Sequence, residues 1–145
     1  MLLAVSAAPA VAAAVTFIWL GMVLAISFVE APLKFRAPGV TVQLGLGIGR
    51  LVFRALNVCE LALAAAVVAC FAVEPPAATT GVAAAIAVVA LLAQVLIVRP
   101  RLARRSAAVL AGDDAPRSRA HWAYLALEVA KVIALLIAGV LLLVA

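Results

Sequence analysis

An all-α transmembrane bundle of four helices, with the N-terminus and the C-terminus both outside, is the fold class this sequence predicts, and three observations predict it. Hydrophobic residues make up 70% of the 145 positions and charged residues 12%, with a mean hydropathy of +1.34. A soluble domain averages about half apolar and a quarter charged, so polar residues are too few here to cover a water-facing surface. Four apolar segments approach or exceed the roughly 20 residues a span requires. Basic residues, finally, are confined to alternate connections between those segments.

The first span is expected over about residues 9–31, ending at Pro32, because proline and its effect on the preceding residue disfavour helix continuation. Residues 1–14 offer Ala-Pro-Ala and Ala-Ala-Ala as signal-cleavage look-alikes. No positive residue precedes the apolar stretch, however, and that stretch is short for a signal peptide, so the segment is read as part of the span. The second span, 42–73, is longer than a bilayer needs, which places its glycine-rich start at the interface or tilts the helix. The third is expected over 81–98 and the fourth over 121–145. Together they form a single integral membrane domain. Helices rather than strands are expected because each closes its own backbone hydrogen bonds inside lipid.

Orientation follows from charge. All eleven Lys and Arg residues except Lys131 flank the first and third connections, including Arg99, Arg101, Arg104, Arg105, Arg117 and Arg119 at the third. Residues 74–80 and the N-terminal tail have no basic residue. The positive-inside rule then puts the first and third connections in the cytoplasm. The net charge of +5 is thus explained by the anionic leaflet, and nucleic acid is not an expected partner. The arginine run after Val98 is read as a stop-transfer flank in preference to an amphipathic surface helix. Cys59 and Cys70, eleven positions apart on one helix, are too distant to bridge each other and are read as buried thiols.

Polar residues inside spans are expensive and mark either mutual pairing or function. On the second span Arg50, Phe53, Arg54, Asn57 and Glu60 fall within an arc of about 120° at 100° per residue. On the fourth, Arg117, His121, Tyr124, Glu128 and Lys131 follow at spacings of four, three, four and three, again one stripe. Glu30, with Ser27 a turn earlier, ends the first span, and Gln94 lies near the basic end of the third. A polar intramembrane cluster of Glu30, Arg50, Arg54, Asn57, Glu60, His121, Tyr124, Glu128 and Lys131 is therefore expected in the cytoplasmic half. Beyond Glu60 and Lys131 both helices are apolar, which argues against a simple aqueous pore.

Two readings of the cluster stay open. In the structural one, Glu128 neutralises Lys131 across one turn, Glu60 pairs with Arg54 or Lys131, and Arg50 snorkels to the headgroups. In the functional one, the carboxylates bind or move a small solute or proton. A third role is a non-catalytic accessory or scaffold subunit of a larger membrane complex. An enzyme is not expected, since no nucleophile–base pair, metal-ligand set or phosphate loop is visible. No cofactor is expected either, and the single histidine rules out a bis-His haem within one chain. Gly45 and Gly49 make a GxxxG pair, read as a close helix contact, a dimer face or a flexible helix entry. Lipid is the expected partner, with a homo-oligomer possible.

Trp19-Leu20-Gly21, the run Glu30-Ala31-Pro32-Leu33-Lys34-Phe35-Arg36-Ala37-Pro38-Gly39, Gly49-Arg50-Leu51-Val52-Phe53 and Asn57 together resemble a group of small four-span bacterial membrane proteins of unknown function. They are also similar to a wider set of four-helix proteins in which a proline and a phenylalanine follow the first helix and a histidine, here His121, opens the last. The resemblance implies the four-helix fold and carries no reaction or site residue. Glu128 and Lys131 lie outside its pattern.

Overall fold

A computed structural model describes residues 6–114 and 119–145, and among these no strand occurs. Arg117 lies outside the described residues. Four helices are long and apolar enough to cross a membrane: the first helix Ala8–Arg36, the second Val42–Val73, the third Ala78–Leu110 and the fourth Arg119–Val144.

The first helix does not end at Pro32. Its Leu24–Glu30 stretch widens into a π-helix, in which the Ala31 N–H reaches back to the Ile26 carbonyl, five residues away. That shift in the hydrogen-bond ladder accommodates the proline two positions early, because Pro32 has no N–H to donate and its ring needs the carbonyl of the previous turn displaced. The helix then runs on to a 3-10 turn, Lys34–Arg36, and stops where Ala37, preceding Pro38, turns extended at φ −69°, ψ 134°.

The third helix repeats the device. A π-helix over Gln94–Val98 precedes Pro100, and the helix continues through Arg99–Leu110 instead of ending at Val98. The arginine run is thus a helical extension and not a loop. Its end is a Schellman cap: Gly112, at φ +97°, donates to the Val109 carbonyl and Asp113 to the Ala108 carbonyl.

The second helix is unbroken from Val42 to Val73. Thr41 caps it by accepting from the Leu44 N–H at 3.1 Å, and Pro75-Pro76 follows its last turn.

The fourth helix packs on the third and the first, and the first also packs on the second. Where they meet, the core is small or aliphatic: Trp19, Leu20, Val23, Ala64, Ala87, Leu91, Ala134 and Leu135. Toward the opposite end from the basic connections it narrows to Val67, Ala83, Ala84 and Ala138, then to Ala12, Ala13 and Leu142. Such alanines let backbones approach closely, as membrane helices require. Gly139 goes further, because a Cβ there would sit 2.8 Å from Phe17 Cζ.

The second helix meets the third chiefly through the Arg99–Leu110 extension. Between them, at the end bearing residues 37–41, a cleft of about 930 Å³ opens. Large apolar side chains such as Leu51, Leu96 and Ile133 point outward, as in a surface solvated by lipid.

Candidate functional site

Lys131 occupies the centre of the site with no solvent exposure. Its Nζ lies 2.5 Å from Glu60 Oε1 and 2.9 Å from Glu128 Oε2, and it donates to Gln94 Oε1 at 2.6 Å. An ammonium has three donors, and here each has an acceptor. The Gln94 amide nitrogen in turn donates to Glu128 Oε2 at 2.5 Å and to the Tyr124 carbonyl at 3.3 Å.

The carboxylates are held from all sides. Trp19 Nε1 donates to Glu60 Oε1 at 2.9 Å, and the Ser27 hydroxyl donates to Glu128 Oε1. With its amide oriented to satisfy both neighbours, Asn57 donates to Glu60 Oε2 at 3.2 Å and accepts from Arg99 Nε at 3.0 Å. The charges balance: two carboxylates face the Lys131 ammonium and, through Asn57, the Arg99 guanidinium. Every one of the four helices contributes, which is how groups this costly to bury are tolerated.

Beside this network stands an aromatic and cationic wall. Lys34 Nζ lies 3.4 Å from Glu30 Oε2, and 5.7 and 5.6 Å from the ring centroids of Phe35 and Phe53. Arg99 lies 5.8 Å from the Phe53 centroid on its own approach. Phe53 meets Tyr124 edge-on, with centroids 5.7 Å apart and planes at 86°. The Tyr124 hydroxyl is buried and, among the described residues, has no hydrogen-bond partner.

Of the expected cluster, Asn57, Glu60, Glu128 and Lys131 come together, and Tyr124 abuts them through its carbonyl. The structure decides the partner of Glu60: it is Lys131 and not Arg54. Arg50 and Arg54 share the arc of Asn57 but sit lower along the helix, exposed on the cleft wall. Glu30 pairs with Lys34 and does not join the network. His121 lines the cleft and stacks edge-on against Trp122, with centroids 5.8 Å apart.

Gly45 and Gly49 are buried against the end of the first helix. A Cβ on Gly45 would collide with the Phe35 ring, and one on Gly49 would lie 3.1 Å from Lys34 Nζ. The pair is thus a close contact within the chain. Cys59 is exposed on the outside of the bundle, about 100° around the helix from Glu60, and Cys70 is half-buried.

Sequence reasoning left Trp19 and Arg99 out of the cluster. The available signal for Trp19 was a lone indole N–H in an aliphatic span, a donor that needs an acceptor when buried. Among the described residues no three His, Cys, Asp or Glu side chains converge as a metal site.

Compared with known proteins, the chain matches no family model, no curated protein and no solved structure. What defines its class is the fold and the site: a multi-pass membrane protein with a buried ionic network at the edge of a basic cleft.

Proposed function

We propose that the protein is a four-helix bundle of the bacterial inner membrane, with both termini outside, that binds a small solute or proton at its polar cluster from the cytoplasmic side and does not pass it across. One observation carries this reading: access to the network is one-sided. Glu128 lines the cleft, whereas past Lys131 the core closes on Ala134, Leu135, Ala138 and Leu142, and of the two buried hydroxyls in that half, Thr16 and Thr80, the first donates to the Ala12 carbonyl of its own helix. A conduction path needs continuous polar or wet lining through the full thickness, and two isolated threonines in an otherwise aliphatic core do not supply it. The confinement of basic residues to the cleft end supports the cytoplasmic placement.

Proteoliposomes containing the full chain and an interior pH dye test the reading. Under an imposed pH difference, proton entry is expected to equal that of protein-free liposomes. In a background lacking Cys59 and Cys70, Ser27→Cys is expected to react with an impermeant maleimide only from the cytoplasmic side. A protein-dependent leak abolished by Glu128→Gln would replace binding by conduction. Protection of Ser27→Cys in native membranes, lost on purification, would instead favour an accessory subunit whose partner fills the cleft.

A further inference from the structure

The cleft has a composition that the ionic network does not explain. Lys34, Arg50, Arg54, Arg99 and Arg105 all line it; among the described residues the one acidic side chain on its wall is Glu128, already held by Lys131, Gln94 and Ser27, while Glu30 answers Lys34. Among the described residues Arg50 and Arg54 reach no carboxylate, so the wall carries an excess of positive charge close to apolar surface. Such an excess is unfavourable next to a low-dielectric medium unless an anion answers it.

A second observation is independent of charge. Tyr124, on the same wall, is only 9% exposed, and among the described residues its hydroxyl has no partner. A buried O–H without an acceptor costs roughly 1–3 kcal/mol, which a ligand oxygen would recover. The third observation is the rim. Phe28 and Leu51 line the cleft while remaining 37% and 72% exposed, so the apolar lining runs out onto the surface that lipid covers. At about 930 Å³ the space lies at the upper end of the roughly 300–1,000 Å³ typical of small-molecule sites.

We propose that this cleft binds an amphiphile whose head is a phosphate monoester, entering from the bilayer, with the phosphate among Arg50, Arg54 and Arg99, an oxygen accepting from the Tyr124 hydroxyl, and the hydrocarbon chain leaving between Phe28 and Leu51. A guanidinium fork matches phosphate oxygens, and a monoester's second charge answers the surplus of cations better than a diester does. The apolar rim is what selects a lipid over free phosphate. This inference rests on the cytoplasmic-side binding reading and names the ligand class for the same cleft.

The test uses the full chain purified in an uncharged detergent, with dioleoyl phosphatidic acid as probe and dioleoyl phosphatidylglycerol and inorganic phosphate as comparisons. Native mass spectrometry and thermal unfolding are expected to show one retained phosphatidic acid per chain and a raised Tm. Arg50→Gln combined with Arg54→Gln is expected to weaken binding at least tenfold. Tyr124→Phe weakens it several-fold while leaving the unliganded Tm undiminished. Arg101→Gln, in the same basic helix but off the cleft wall, leaves binding unchanged and separates a built site from general attraction to the leaflet.

Equal retention of phosphatidylglycerol, or equal loss in Arg101→Gln, would overturn the proposal, as would inorganic phosphate binding with the same dependence on Arg50 and Arg54. Failure of all three probes to bind, with Ser27→Cys still reactive from the cytoplasmic side, would reject the ligand class and leave the binding reading standing. An unreactive Ser27→Cys would reject that reading itself.

Discussion

Lys131 Nζ stands 2.5 Å from a carboxylate oxygen of Glu60, and this single ion pair ties together the second and fourth helices, which share little other packing. Two carboxylates, an amide and an ammonium close the same knot, so the removal of any one member strands the others in a dry interior.

The sharpest consequence concerns Lys131 itself. Lys131→Met keeps the volume but leaves Glu60 and Glu128 facing each other without their cation. A loss of about 3–5 kcal/mol is expected, the range for breaking a buried pair by deleting one partner. Thermal unfolding in nanodiscs measures it. The triple variant with Glu60→Gln and Glu128→Gln, which has no net charge to strand, is expected to regain most of the loss.

Trp19 is predicted to act through its N–H. Trp19→Phe removes the donor to Glu60 Oε1 and is expected to cost about 1.5–3 kcal/mol, as for a hydrogen bond to a charged group. A double-mutant cycle with Glu60→Gln isolates this term from lost packing. A coupling energy near zero would assign the whole effect to the cavity left by the smaller ring.

The glycines of the second helix should separate cleanly. Gly45→Ala places a methyl in the Phe35 ring and is expected to destabilise by about 1–3 kcal/mol, the usual cost of overpacking. Gly47→Ala meets nothing within 4 Å and is expected to stabilise by about 0.5–1 kcal/mol through helix propensity alone. Opposite signs in Tm from two neighbouring substitutions check the contact. Two losses of equal size would mean that a second copy of the chain, and not Phe35, packs on this face.

Orientation is tested by thiol labelling in the background free of Cys59 and Cys70. Ala77→Cys, between the second and third helices, is expected to react with an impermeant reagent on intact cells. Ala111→Cys, at the end of the third helix, is expected to react only after permeabilisation. The reverse pattern would place the cleft outside.

Much of this molecule was legible as sequence. Rare polar residues in apolar helices announce themselves, and helical periodicity puts Asn57 and Glu60 on one face and Tyr124, Glu128 and Lys131 on another. An angular arc gives direction around the helix and not the neighbour at that depth, however. Arg54 shares the arc of Glu60 but lies about 9 Å away along the axis, so it ends on the cleft wall, out of the network. Pro32 misled for a related reason: a π-helical turn ahead of it absorbs the missing N–H, as another does ahead of Pro100, and a shift of one residue in the ladder leaves no trace in hydropathy.

By itself, then, the sequence determined what depends on composition and length: that the chain is helical, that four segments are long and apolar enough to span a membrane, and that carboxylates and a lysine lie within two of them. Those properties follow from the transfer cost of each residue and need no neighbour to be specified. Tertiary structure alone decided the pairings: Glu60 with Lys131 and Trp19, Asn57 with Arg99, Gly45 with Phe35, and the cleft between the second and third helices. Each depends on the depth and rotation of one helix against another, and these are set by how small residues such as Ala64, Ala87 and Gly139 let the backbones approach.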